Sequence, residues 1–175
     1  MNKLLPILLT LAAVSLPASA QDGKVLKGKE ITESALIQAL TPVETIRTRS
    51  FRRDQPVVPV KPASASLLLT FETNSADLSK AARDSLDTVG RALKSDRLAE
   101  FKFDIEGHAD PRGGPDLNQH LSQARADAVR QYLVQNHQVG EQRLKAIGKG
   151  DTELLNEKNP VAPENRRVTI KTVVE

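Results

Sequence analysis

Apolar and polar positions along this chain change their period several times, and each change marks an element. Residues 67–71 form a short apolar run suited to a buried strand. Between 79 and 94 the apolar positions Ala82, Leu86, Val89 and Leu93 recur at helical spacing, with Ser79 placed to cap the start. Phe101, Phe103 and Ile105 then alternate with Lys102, Asp104 and Glu106, the pattern of a half-buried strand ending at Gly107. A loop over 108–116, punctuated by Pro111, Gly113, Gly114 and Pro115, leads into a second helix over 117–136. Its buried stripe is expected from Leu121, Ala124, Ala128 and Tyr132, with Val129 and Leu133 beside them. Residues 144–147 and 168–174 read as two further strands, separated by a polar loop over 149–163. Strands joined by helices of this length imply crossovers that cover a sheet. The predicted fold is a two-layer sandwich of the α/β (α+β) class, βαβα followed by two strands.

Upstream the pattern is thinner. Residues 32–40 could form one short helix with Thr32 as cap, Leu36, Ile37 and Leu40 as its stripe and Pro42 just past its end. So short a helix does not hold in water unless something packs on it. Residues 54–65 read DQPVVPVKPASA, with Pro56, Pro59 and Pro62 at every third position, which predicts an extended, semi-rigid spacer. Between helix and spacer, Arg47, Arg49, Arg52 and Arg53 flank Phe51. That stretch is either a solvated basic linker or a docking segment for an anionic surface, such as headgroups or a partner. At the very start, Lys3 precedes a largely apolar run over 4–16, and Ala18-Ser19-Ala20 supplies small residues of the kind a signal peptidase cuts. The expected organisation is a signal peptide over 1–20, an N-terminal segment over 21–65 and a domain over 66–175. The apolar run is too short for a bilayer core needing about 20 helical residues, so no transmembrane segment is expected in the mature chain.

Composition narrows the function. The 175 residues carry 25 Lys and Arg against 22 Asp and Glu, and this weak positive balance without a basic stripe in the main domain gives no case for nucleic acid. There is no cysteine, which excludes disulfides, a thiolate metal site, a catalytic thiol and a lipid-bearing cysteine. His108-x-Asp110, with His120 and His137 elsewhere, is the one set that could hold a metal or act as a base. It lacks a helical His-x-x-x-His pair, and His108 is expected to pack and hydrogen-bond beside the strand end. A nucleophile elbow is absent, and Gly148-Lys149-Gly150 lacks the rest of a phosphate loop. Neither catalysis nor a cofactor is expected.

Four motifs follow one another in order: Gly107-His108-Ala109-Asp110; Asn118-x-x-Leu121-Ser122-x-x-Arg125-Ala126-x-x-Val129; Gly148-x-Gly150; and Asn165-Arg166-Arg167-Val168. Together with Phe71-Glu72-Thr73-Asn74-Ser75-Ala76 they resemble the OmpA-like peptidoglycan-binding domain of bacterial envelopes, over about residues 66–175. The resemblance implies a mixed sheet with helices on one face and a non-catalytic site for the diaminopimelate of the peptidoglycan stem peptide. It assigns the ligand's ammonium to Asp110 and its carboxylate to Arg125, with Asn74, Asn118 and Arg166 orienting it. Where that family most often has Thr before the aspartate, this chain has Ala109, so a hydroxyl is missing from the edge of the site. The loss is expected to weaken binding or loosen ligand choice.

The chemistry is consistent with those assignments. A carbon bearing both ammonium and carboxylate needs an anion and a planar cationic fork a few ångströms apart. Asn118, Ser122 and Arg125 fall on one helix face. Residue by residue, other readings stay open: Asp110 and Arg125 as a structural ion pair, Asn118 as a helix cap, and either of Arg166 and Arg167 facing solvent. At the level of the whole chain, wall binding that tethers or positions an envelope component competes with two alternatives. One is a scaffold that captures an envelope protein through 21–65; the other is a peptidoglycan-acting metal hydrolase. Residues 21–65 are too few for the eight-stranded membrane barrel of larger family members, which needs some 80 strand residues. The expected location is the periplasm, peripheral to the outer membrane.

Overall fold

Side-chain caps set where the helices of the computed structural model begin. The structure describes residues 25–42, 62–71 and 75–174, so the expected signal peptide, the Arg-rich stretch, most of the proline spacer and Asn74 lie outside the described residues. Helix α1 (Glu33–Leu40) starts where the Thr32 hydroxyl accepts from the Ala35 amide at 3.2 Å. Helix α2 (Lys80–Leu93) starts where the Ser79 hydroxyl accepts from the Ala82 amide at 3.1 Å. These are the two predicted caps. Helix α3 (Pro115–His137) begins two residues earlier than predicted. Gly114 takes φ +78°, and Pro115 then occupies the first turn, where its missing N–H costs nothing.

Five strands form one sheet in the order β1-β2-β5-β3-β4: β1 (Val25–Leu26), β2 (Ser64–Leu67), β3 (Lys102–Gly107), β4 (Leu144–Gly148) and β5 (Val168–Val173). β5 runs antiparallel to both β2 and β3, while β1–β2 and β3–β4 are parallel pairs. This is the mixed sheet of the predicted α+β class. The first predicted strand is displaced: pairing with β5 runs from Ser64↔Lys171 to Leu67↔Val168 instead of over 67–71. Ala65 and Leu67 point into the core while Ser66 hydrogen-bonds Thr169 on the other face, so two serines hide the alternation. Phe71 makes only an isolated bridge to Leu78.

The core lies between sheet and helices. Leu67, Leu86, Val89, Leu93, Phe103, Ile105, Val129, Leu133 and Ile170 are all fully buried. Leu36 and Leu40 of α1 join them, and the Thr172 hydroxyl donates to the Leu40 carbonyl at 2.6 Å. Packing on α2 and the sheet is what a helix this short requires. Among the described residues no helix is long and apolar enough to cross a membrane.

α3 corrects the expected stripe. Its buried residues are Asn118, Ser122, Ala126, Val129 and Leu133, whereas Ala124 is exposed. The cause is backbone packing. Gly107 and Gly148 are register partners at the ends of β3 and β4. A Cβ on Gly107 would collide with the Ser122 carbonyl, and one on Gly148 would come within 2.7 Å of the Gln123 amide. The helix rests directly on two glycines, so small and polar residues fill that half of its buried face. α3 also covers the free edge of β4: Arg130 donates to the Leu144 carbonyl at 3.0 Å, and Gln123 and Gln119 hold the Gly148 amide and carbonyl at 2.7 and 3.0 Å. An edge satisfied this way is closed to further strand pairing.

Candidate functional site

The loop leaving β3 is pinned by backbone. The His108 amide donates to the Arg167 carbonyl at 3.0 Å and the Ala109 amide to Gly150 at 2.7 Å. Next along, Asp110 is 5% exposed and anchors a short turn, Pro111–Gly113, by accepting from the Arg112 amide at 3.2 Å. Arg112 closes a bidentate fork on the same carboxylate, Nε to Oδ1 at 2.9 Å and Nη2 to Oδ2 at 2.7 Å. Arg166 Nη1 reaches Oδ2 at 2.7 Å from the start of β5. The Arg112 hydrogen bonds, with help from Arg166, hold the Asp110 carboxyl well below the usual range against the opposing effect of burial. Asp110 is an anion at any physiological pH.

Arg125 stands on α3 facing the same space, yet no ion pair joins it to Asp110 among the described residues. Its Nε donates to the Ser75 carbonyl at 3.2 Å, and its guanidinium lies 4.9 Å from the Phe71 ring centroid. Burial, and then repulsion from Arg166, lower its pKa, while Asp110 acts the other way. Asp110, Arg112, Asn118, Arg125 and Arg166 line one cavity of about 520 Å³, with Phe71 and Leu121 on its apolar side.

Four of the five predicted site residues therefore meet at one cavity, and Asn74 lies outside the described residues. The structural pair read as an alternative, Asp110 with Arg125, is replaced by Asp110 with Arg112 and Arg166. Asn118 is not the cap of α3, a place held by Gly114; its amide donates to Asp151 at 3.2 Å. The two adjacent arginines divide: Arg166 serves the cavity, while Arg167 is 8% exposed and donates to the Glu153 carbonyl at 3.3 Å. Sequence reasoning missed Arg112. Its signal was an arginine two residues past the aspartate in a turn bounded by proline and glycine, close enough to fold back. It also missed the work of Asn165, fully buried, whose side chain accepts from the Leu155 and Asn156 amides and donates to the carbonyls of Asn156, Asn159 and Pro160. That one amide organises the loop that leads into Arg166.

A second cluster sits on the sheet face away from the helices. Glu106, His108 and Glu153 bring one potential ligand atom each within 4.8 Å of the others. Ammonium groups already neutralise both carboxylates: Lys171 lies 2.7 Å and Lys149 3.4 Å from Glu106, and Lys149 lies 2.7 Å from Glu153. A divalent cation would have to displace them, so the donor set does not suit one. His108 packs as predicted, but neither ring nitrogen is hydrogen-bonded. Burial, and then the Arg167, Lys171 and Lys149 charges, push its pKa down to about 3, so the ring is neutral. His120 is exposed and His137 bonds Asp87 at 2.8 Å, so the three histidines form no common site.

Comparison with known proteins agrees with this architecture. The chain is 33% identical over 103 residues to the probable lipoprotein YiaD of Escherichia coli, covering 58% of this chain and 46% of that protein. It is 33% identical over 111 residues to the peptidoglycan-associated lipoprotein of Pseudomonas aeruginosa, covering 58% of this chain and 59% of that one. The match thus spans about half the length of these relatives. Among solved structures, the peptidoglycan-associated lipoprotein of Burkholderia pseudomallei superposes with a TM-score of 0.51 at 26% identity, over 62% of this chain and 89% of that one. The cell wall anchor of the T6SS from Pseudomonas aeruginosa superposes with a TM-score of 0.54 at 26% identity, over 67% and 85%. Residues 70–167, which carry every lining residue of the cavity, match the OmpA family, and the chain belongs to that family.

Proposed function

We propose that this protein binds cell-wall peptidoglycan noncovalently, through the diaminopimelate of the stem peptide, and so tethers or positions an envelope component. One observation carries the reading. A buried carboxylate, Asp110, and a guanidinium not paired with it, Arg125, line the same cavity. A carbon bearing an ammonium and a carboxylate matches both, each ligand charge meeting its opposite in a partly dry site where charge-assisted hydrogen bonds are strong. The Phe71 ring and Leu121 offer apolar surface to the methylene chain between the two ends of diaminopimelate. Two relatives named as peptidoglycan-associated lipoproteins support the same ligand class.

Partner capture through residues 21–65 is the competing role. Within its described part, the apolar stripe of α1 is already occupied, since Leu36 and Leu40 are buried in the core.

Co-sedimentation with purified sacculi tests the proposal. The protein is expected to pellet, and folded Asp110→Ala and Arg125→Ala variants, checked by circular dichroism, are expected to stay in solution. Equal pelleting of all three would make the two residues structural.

A further inference from the structure

Among the described residues the cavity carries more positive charge than a zwitterionic ligand can match: three guanidinium groups, Arg112, Arg125 and Arg166, share its wall with one carboxylate, Asp110. Asp151 hydrogen-bonds Asn118 and does not line the cavity. A ligand centre with one ammonium and one carboxylate adds no net charge, so two of these guanidinium charges stay uncompensated among the described lining residues. Ligand entry sharpens the imbalance. The ammonium takes up acceptor capacity of Asp110 that Arg112 and Arg166 now use, and leaves their donors short of a partner.

Arg112 is placed to find one outside. Its side chain is 62% exposed although its fork is anchored on a carboxylate only 5% exposed, so its outer donors face the cavity mouth. Arg166, 37% exposed, stands beside it with its other contact a 3.4 Å approach to the Val161 carbonyl. The rim has apolar character as well: Leu117, one of the three large apolar side chains exposed among the described residues, lines the cavity beside Arg112.

Resting on the wall-ligand reading above, we propose that Arg112, together with Arg166, reads a second free carboxylate of the ligand, so that the protein selects stem peptides whose remaining carboxylates are neither amidated nor linked. The first carboxylate goes to Arg125. The second bridges the outer donors of Arg112 and Arg166 and compensates the charge they present once the ammonium sits on Asp110. Arg112 is thus a specificity residue supplied by the loop, distinct from the pair that holds the zwitterionic carbon.

Calorimetric titration of the protein separates the possibilities. The probes are the free stem tripeptide ending in diaminopimelate, and the same peptide amidated at every carboxylate except the one beside the ammonium. The protein is expected to bind the amidated peptide about tenfold or more weakly, the effect of one lost charge-assisted contact. Arg112→Gln is expected to bind the free acid weaker by a similar factor and to discriminate the two peptides by less than about threefold. Equal affinity of the unchanged protein for both peptides overturns the second-carboxylate proposal and leaves the zwitterion reading standing. Tighter binding by Arg112→Gln also overturns it, making Arg112 a competitor for Asp110. Failure of the protein to bind either peptide sinks the wall-ligand reading itself, and this proposal with it.

Discussion

His108 is 2% exposed with both ring nitrogens unbonded; burial and the cations Arg167, Lys171 and Lys149 disfavour its protonation, outweighing the carboxylate of Glu153, while that of Glu106 lies 4.0 Å away. In the folded protein its pKa lies at about 3, below the 6.5 of a free imidazole. As pH falls below 6.5 the unfolded chain takes up a proton that the folded one refuses, so stability declines until the pH nears 3. The slope approaches about 1.4 kcal/mol per pH unit, which amounts to about 2 kcal/mol between pH 7 and 5. Asp110, whose pKa is lowered, works in a separate window: its contribution is present above the ordinary carboxylate range and is lost only in stronger acid. Urea denaturation at pH 7 and pH 5 should show the loss in the wild type and remove most of it in His108→Phe. Parallel curves for the two proteins would mean that the buried ring titrates normally. The same residue shows what sequence can and cannot convey. A histidine beside a strand end was legible as buried, whereas its lack of any hydrogen bond depends on where Lys171 and the 149–153 loop come to rest. That Asp110 and Arg125 face one cavity was legible through their motifs. Which of three arginines would hold Asp110 was not, because that choice rests on distances that only the folded loop sets.

At the scale of elements, the predicted helix starts at Thr32 and Ser79 were accurate because capping is local chemistry, written within four residues. The buried stripe of α3 was misplaced because periodicity registers large apolar side chains, and half of this helix packs through backbone onto Gly107 and Gly148. β1 escaped notice for a related reason: two residues on the sheet edge carry no period. The glycine contact supplies a test. Gly107→Ala forces a methyl into the Ser122 carbonyl, and the neighbour is helix backbone that cannot swing aside, so the variant is expected to lose about 1–3 kcal/mol. Because α3 carries Arg125 and β3 leads into Asp110, the same displacement should also weaken pelleting with sacculi in whatever fraction remains folded. A fully stable Gly107→Ala protein in denaturant titrations would refute the backbone packing of helix on sheet.

For the whole molecule, the question is whether residues 25–42 are an arm or part of the body. In the sequence they stand apart from the motif-bearing region, beyond an arginine-rich stretch and a proline spacer. In the structure β1 extends the sheet beside β2, α1 packs on α2, and the Leu40 carbonyl is tied to Thr172 in β5. These contacts lie on the flank of the sheet remote from β4, while the cavity is built from the β3 loop, α3 and the start of β5. The contacts of residues 25–42 and the residues of the cavity therefore lie in different parts of one fold. Leu36 is fully buried, and truncating it removes core contacts without touching any residue of the cavity, so Leu36→Ala is expected to cost about 2–5 kcal/mol. Pelleting with sacculi should persist below the new unfolding midpoint, because Asp110 and Arg125 keep their supports. A scaffold whose helix serves a partner gives the reverse pattern, with unchanged denaturation and lost capture of that partner. Denaturant titration and sedimentation on the one variant distinguish a helix that completes the core from one held out for binding.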